Sequence, residues 1–316
     1  MIKEFKALLK EYDRVSIVTH KNPDADTLGT ALGIYEILKN EKKEVEVCNW
    51  GGILPNYLDF LPHFAKIKRQ IDFDKSLIIS CDSGSIDLLG FDLSSRVIVN
   101  IDHHKSNTNY GTLNIVNDKC ASASQVAYEF LKNEFTINRN TATCFYVAMV
   151  TDTQNFTTLN VGNDVLKVAS ELLSKGVDIA DVNRNLTQRK SLSSLRILSE
   201  TLDTLEFYEE AKVASLVTTQ ESFKRTGATA VDTVGIIDYC IALATVKIAI
   251  FIMELEQSLK VSMRSNSADV SELAVYFGGG GHRLASGFSI DKKMDTQELL
   301  NSINKEIKKR GLLNEL

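Results

Sequence analysis

The chain has 316 residues and a mass of 35.1 kDa, with 44% hydrophobic and 24% charged residues, a balance that excludes disordered and fibrous classes and fits about two globular domains. Its 17 glycines and 3 prolines, none of the latter beyond Pro62, exclude collagen-like, mucin-like and proline-rich linker architectures. A net charge of -5 without a dense Lys/Arg run argues against long duplex nucleic acid as the primary ligand.

The first 150 residues alternate apolar runs with helix-period segments, as expected of a mainly parallel sheet with helices on both faces. Val15–Thr19 is predicted as a strand leading to His20-Lys-Asn-Pro-Asp24-Ala-Asp26. Pro23 fixes its own φ and biases Asn22 towards extended backbone, so a turn should present His20, Asp24 and Asp26 together. An Asp-rich turn capping a helix from Ala25 onward reads equally well. Leu28–Leu38 has helical periodicity.

Leu77–Ser80 is the next predicted strand and leads to Cys81-Asp82-Ser-Gly84. An ionised Asp at the end of an apolar strand needs a partner, and a cation is the expected one. If the chain is still extended there, Cys81 and Asp82 point to opposite faces, making the thiol a core group and the carboxylate the site group. Val97–Ile101 leads in turn to Asp102-His103-His104. Adjacent imidazoles on extended backbone cannot share one direction, so one is free to bind metal while the other faces substrate. In open α/β sheets ligands bind beyond the carboxyl ends of strands, and three polar clusters at three such ends should converge on one crevice.

Helices are predicted over Ala123–Leu131, Thr141–Val150 and Val165–Leu173, with Asp152, in Thr151-Asp-Thr153, just after the second. Taken alone, that tripeptide reads as a helix end or turn. The composition turns polar from Asn183 to Arg196, setting the expected boundaries at 1–185 for a first domain, 186–200 for a linker and 201–316 for a smaller α/β domain. In the latter, Val213–Val217, Val246–Met253 and Leu259–Met263 read as strands and Met294–Leu312 as a closing helix.

Four of the five histidines, His20, His103, His104 and His282, lie in polar clusters; the isolated His63 reads as structural. Five widely spaced cysteines suit neither a disulfide framework nor a Cys-x-x-Cys metal site, so a reducing cytoplasm is the expected location. The start lacks the apolar region of a signal peptide. Lys247 interrupts the longest apolar stretch, Ile241–Met253, which reads as core rather than membrane.

The ordered set His20-x-Asn-Pro-Asp24-x-Asp26, strand-end Asp82, Asp102-His103-His104 and Thr151-Asp152-Thr153 resembles the four motifs of the DHH phosphoesterases. Phe277-Gly-Gly-Gly-Gly-His282 followed by Ala285-Ser-Gly287 resembles the signature of the DHH-associated substrate domain. These matches span nearly the whole chain, and the two-domain layout is similar to the nanoRNase and pAp phosphatase branch.

The resemblance implies two divalent metal ions, Mn(II) by preference or Mg(II). One would be held by His20, Asp24 and Asp82, the other by Asp26, Asp82, His103 and Asp152, with Asp82 bridging. Asp82, Asp102 and His104 would form the catalytic set, His104 facing the scissile phosphate or leaving group. Four carboxylates roughly balance two such ions, and oxygen and imidazole donors suit them better than a structural zinc. The glycine run, through Gly279, Gly280 and Gly281, would let backbone N–H groups approach a phosphate, with His282, Arg264 and Ser286 completing a substrate-binding set.

The implied activity is hydrolysis of very short oligoribonucleotides to mononucleotides and of 3'-phosphoadenosine 5'-phosphate (pAp) to AMP in a cleft between domains. Cyclic or linear dinucleotides are the alternative substrates. The glycine-rich second domain argues against a pyrophosphatase, and a non-catalytic nucleotide sensor is the reading from another class. Expected partners are short RNA and small nucleotides, without long duplex or membrane, and a homodimer is compatible with the sequence.

Overall fold

The computed structural model describes residues 1–51 and 54–313. They divide into two compact units, Met1–Arg189 and Lys190–Leu316.

The N-terminal unit runs α1 (Ile2–Glu11), β1 (Arg14–Thr19), α2 (Ala25–Asn40), β2 (Glu44–Cys48), β3 (Ile67–Lys68), β4 (Leu77–Cys81), β5 (Ile98–Asp102), β6 (Leu113–Val116), α3 (Ala123–Leu131), α4 (Arg139–Asp152), α5 (Asn163–Leu173) and α6 (Ile179–Thr187). Its six strands are ordered β3-β2-β1-β4-β5-β6, every pair parallel. The chain steps outward to β2 and β3 on one side of β1, then returns to β4 on the other. The carboxyl ends of β1 and β4 therefore flank the point where strand order reverses, the place in such sheets where a crevice opens.

Right-handed crossovers on either side of that point must lie on opposite faces of the sheet. The β1-to-β2 crossover carries α2, and this face also receives α1, α3, α4 and α5 in one large core around Phe5, Leu32 and Phe145. The opposite face is covered more thinly, by a 3-10 turn at Ile86–Leu88 and by Leu89 and Leu93 packed on Val18, Ile78 and Ile98. The α/β fold expected from the sequence is present, with its α-helical cover concentrated on one face.

Helix α2 is buried over its whole length from Ala25 to Leu38, as befits a helix with little polar surface sandwiched between a sheet and other helices. It packs against α4 at two glycines. A Cβ on Gly29 would meet the Cys144 carbonyl at 2.6 Å, and one on Gly33 would meet the Phe145 ring at 2.3 Å. This approach matters to function because α2 begins, and α4 ends, at candidate site residues. Gly33→Val should lower the thermal midpoint by about 3–10 °C, the cost of overpacking a filled core in a unit of this size; calorimetry checks it. His63 fulfils its structural reading by pairing with Glu36 at 2.5 Å, on the same carboxylate that binds Asn138 at the start of α4.

The C-terminal unit comprises α7 (Leu192–Leu202), β7 (Glu206–Tyr208), β8 (Val213–Thr218), α8 (Gln220–Thr226), α9 (Ile236–Ile241), β9 (Ile248–Glu254), β10 (Ser258–Ser265), α10 (Ser271–Tyr276), β11 (Gly280–His282), β12 (Ala285–Asp291) and α11 (Thr296–Lys309). The segment read as a linker thus contains the end of α6 and most of α7. The mixed sheet is ordered β11-β12-β10-β9-β8-β7, with only the β8–β9 pair parallel. Period-two alternation in β9 sends Ile248, Ile250 and Ile252 to one core and Ala249, Phe251 and Met253 to the other.

Candidate metal centre

Seven of the residues singled out above meet at the carboxyl end of the parallel sheet. His20 follows β1, Asp24 caps α2, Asp26 lies in its first turn, Asp82 follows β4, His103 and His104 follow β5 and Asp152 ends α4. Their donor atoms form overlapping groups, His20 with Asp24 and Asp82, Asp26 with His103 and Asp152, and Asp82 with His103 and His104; within each group the atoms lie within 4.8 Å of one another.

Asp82 is central to this arrangement. Its Oδ2 stands 3.6 Å from His20 Nε2, while its Oδ1 stands 3.5 Å from His103 Nε2 and 3.6 Å from His104 Nδ1. The backbone is not extended at this residue: β4 ends at Cys81, and Asp82 has φ +56°. The left-handed turn, uncommon outside glycine, aims both carboxylate oxygens into the crevice. Cys81 is fully buried and belongs to the core.

The two adjacent imidazoles also depart from the sequence reading. Because β5 stops at Asp102, strand alternation no longer separates them, and their rings lie 4.6 Å apart, both directed at Asp82 Oδ1.

Each remaining carboxylate is held by backbone or a neighbour. Asp24 Oδ1 accepts from the N–H groups of Asp26 and Thr27, each at 3.0 Å, so the helix-capping reading of that turn is realised in a residue that also faces His20 at 3.8 Å. Asp26 accepts from Ala123 N at 2.7 Å and Ser124 N at 3.2 Å, at the start of α3. Its Oδ2 is 3.8 Å from His103 Nε2, which is in turn 3.6 Å from Asp152 Oδ2. Asp102 is fully buried and accepts from His104 Nδ1 at 2.7 Å and from Asn107, whose side chain also reaches Asn100 and Ser83.

The electrostatics describe a pocket short of positive charge. Burial, reinforced by Asp82, raises the carboxyl groups of Asp24 and Asp26, and burial lifts Asp152 to about 6 despite the nearby His103. Burial works against a charged His103, yet the carboxylates of Asp82, Asp26 and Asp152 outweigh it and raise its pKa to about 10. Asp82, although buried, is held well below the usual range by the surrounding imidazoles.

These residues fit divalent cations. Asp82 Oδ1 is buried and accepts no hydrogen bond from the described residues, its nearest partners being the imidazoles of His103 and His104 at 3.5 and 3.6 Å, and a bound cation would satisfy it directly. The gaps of 3.5–3.8 Å are too long for hydrogen bonds and near the spacing of donors that share an ion at about 2.1 Å. No thiolate takes part, which favours hard, oxygen-preferring ions.

The residues expected at the substrate lie in the C-terminal unit. Arg264, on β10, is about one-third exposed, with Nε 4.0 Å from Asp238. Gly280, Gly281 and His282 are not a loop but the short edge strand β11, paired with Gly287, Ser286 and Ala285. Gly279 packs so closely that a Cβ would lie 2.2 Å from the Gly287 carbonyl, whereas Gly280 faces open space. The buried Ser286 hydroxyl donates to the Val270 carbonyl at 2.6 Å.

Three supporting features had not been singled out from the sequence: the α3 amides that grip Asp26, Asn107 beneath Asp102, and the buried Asn49, which donates to the His20 carbonyl at 2.7 Å. Backbone amides leave no residue-type signal, and the two asparagines stand out from other loop asparagines only once the strands are assembled.

Comparison with known proteins gives a consistent picture. Residues 14–149 match the N-terminal domain of the DHH family, and residues 209–309 match the DHHA1 domain. The chain is 30% identical to the bifunctional oligoribonuclease and PAP phosphatase NrnA of Thermus thermophilus, over 95% of this chain and 92% of that protein. It is 28% identical to the probable protein of the same name from Streptococcus mutans, over 95% and 98%. The crystal structure of an exopolyphosphatase-related protein from Bacteroides fragilis superposes with a TM-score of 0.89 at 25% identity, covering 98% of this chain and 95% of that one.

Proposed function

Because this chain belongs to the DHH family, we propose that it is a metal-dependent hydrolase that converts very short oligoribonucleotides to mononucleotides and pAp to AMP. The observation that carries this reading is the convergence of Asp24, Asp26, Asp82, Asp152, His20 and His103 at the sheet's reversal point, in a chain whose full-length relatives bear that activity in their names.

In this reading His20, Asp24 and Asp82 hold one cation, and Asp26, Asp82, His103 and Asp152 hold a second. Manganese is the preferred ion and magnesium the alternative. Two such ions supply Lewis acidity towards phosphate and a water of lowered pKa. The protein's part is positional: Asp82 presents one oxygen to each half of the centre, and the α3 amides fix Asp26. Asp102 fixes the orientation of His104 and raises its affinity for a proton, so His104 is poised to protonate the leaving oxygen. No serine or cysteine nucleophile is required. The five cysteines are all buried and unpaired, in keeping with a cytoplasmic setting, and no helix among the described residues is long and apolar enough to cross a membrane.

Arg264 is assigned to substrate phosphate. Arg264→Ala should raise KM for dinucleotides about tenfold or more, the value of a charge-assisted contact, with kcat affected less; steady-state kinetics separate the two. The reading as a whole is tested by product analysis with end-labelled dinucleotides to pentanucleotides, pAp, a cyclic dinucleotide and pyrophosphate, each with manganese. Mononucleotides from the short RNAs and AMP from pAp are expected. Cleavage of pyrophosphate alone, or binding of nucleotides without turnover, would overturn it.

A further inference from the structure

We propose that Trp50 is a stacking platform for a nucleobase of the substrate, with Lys21 and Arg69 beside it for an adjoining phosphate; this rests on the nucleotide-hydrolase reading above. Trp50 is the sole tryptophan of the chain, yet 56% of it is exposed, although an indole is normally a major contributor to a core. It follows β2 at the same end of the sheet as the metal centre.

Trp50 is exposed but not loosely attached. The preceding Asn49 is fully buried and donates to Thr19 Oγ1 at 2.9 Å and to the His20 carbonyl at 2.7 Å, so the platform and a candidate metal ligand share one hydrogen-bonded frame. Lys21, next to His20, is anchored by its N–H to the Leu88 carbonyl at 2.8 Å and places Nζ over the indole, 5.6 Å from its centre.

Two glycines make this packing possible. At Gly90, with φ +79°, an added Cβ would lie 3.0 Å from the indole and 2.9 Å from Lys21 Cε. At Gly51 it would lie 1.5 Å from the Lys21 carbonyl oxygen. Arg69 donates to the Gly51 carbonyl and is exposed. An exposed aromatic ring with cations against it is the arrangement that takes a base by stacking and its phosphate by charge, with little regard to base identity.

The sole tryptophan reports on its own contact. Rapid mixing of the manganese-loaded protein with pApA should quench its emission before turnover, whereas ribose 5-phosphate, which lacks a base, should not. Trp50→Ala should raise KM for pApA about tenfold, with Trp50→Phe close to wild type. Trp50→Leu, which keeps apolar volume without a π-face, should behave like Trp50→Ala and replaces it if the alanine variant does not fold. A wild-type protein that hydrolyses pApA, combined with a KM within twofold of wild type for the alanine or leucine variant, overturns the platform and leaves the hydrolase reading intact. A manganese-loaded wild type inactive on both pApA and pAp removes both.

Discussion

On the proposed reading, Asp82→Asn should yield a folded protein with less than about a thousandth of wild-type turnover, a loss of several kcal/mol of cation-dependent transition-state stabilisation. The amide keeps the size and shape of the carboxylate, so the core around Cys81 and Ile101 is undisturbed. What disappears is the charge between His20 on one side and His103 and His104 on the other. Metal analysis should show ion content lost with the activity, and circular dichroism should show the secondary structure retained. Full turnover by the variant would contradict the central role of Asp82.

Metal removal should produce the other large effect, and its dependence on pH has a definite sign. Asp152 is raised to about 6 and His103 to about 10 when only protein groups surround them. Both therefore bind protons more tightly folded than unfolded. Their contribution to stability is present at low pH and is lost as pH rises, for Asp152 between about 4 and 6 and for His103 between about 6.5 and 10. Cations act in the opposite direction, since they require deprotonated carboxylates and neutral imidazole. Chelated protein should thus be inactive, and adding manganese at pH 8 should raise its thermal midpoint by about 5–10 °C, the linkage expected near a hundredfold excess over Kd. The increment should shrink at pH 5.5. Calorimetry of chelated and manganese-loaded protein at both values checks it; an equal shift at the two would separate ion binding from these groups.

Much of the centre was legible because its residues stand where apolar runs stop. Val15–Thr19, Leu77–Ser80 and Val97–Ile101 each end in a polar cluster, and a parallel sheet must gather such ends on one edge. The details of orientation were not legible. That His103 and His104 face the same oxygen follows from β5 ending at Asp102, and that Asp82 turns into the crevice follows from a positive φ, neither of which leaves a mark in composition.

Some strands were passed over despite a visible signal. Glu44-Val-Glu-Val-Cys48 alternates cleanly, and its Glu46 is buried in β2 with Ser16 and Lys68 as partners. The glycine run suggests close backbone approach to a phosphate and carries no strand signal, because glycine disfavours strands. β12 nevertheless recruits it as an edge strand, where the missing side chains allow close backbone approach.

The grip of α3 on Asp26 carries a consequence for biosynthesis. The amides of Ala123 and Ser124 lie 97 and 98 residues after the carboxylate they hold, and Asp152 comes later still. A nascent chain presents His20, Asp24 and Asp26 before the α3 amides that hold Asp26, and before Asp82, His103 and Asp152, have been translated. The candidate centre is therefore whole only in a chain whose first 152 residues have folded together.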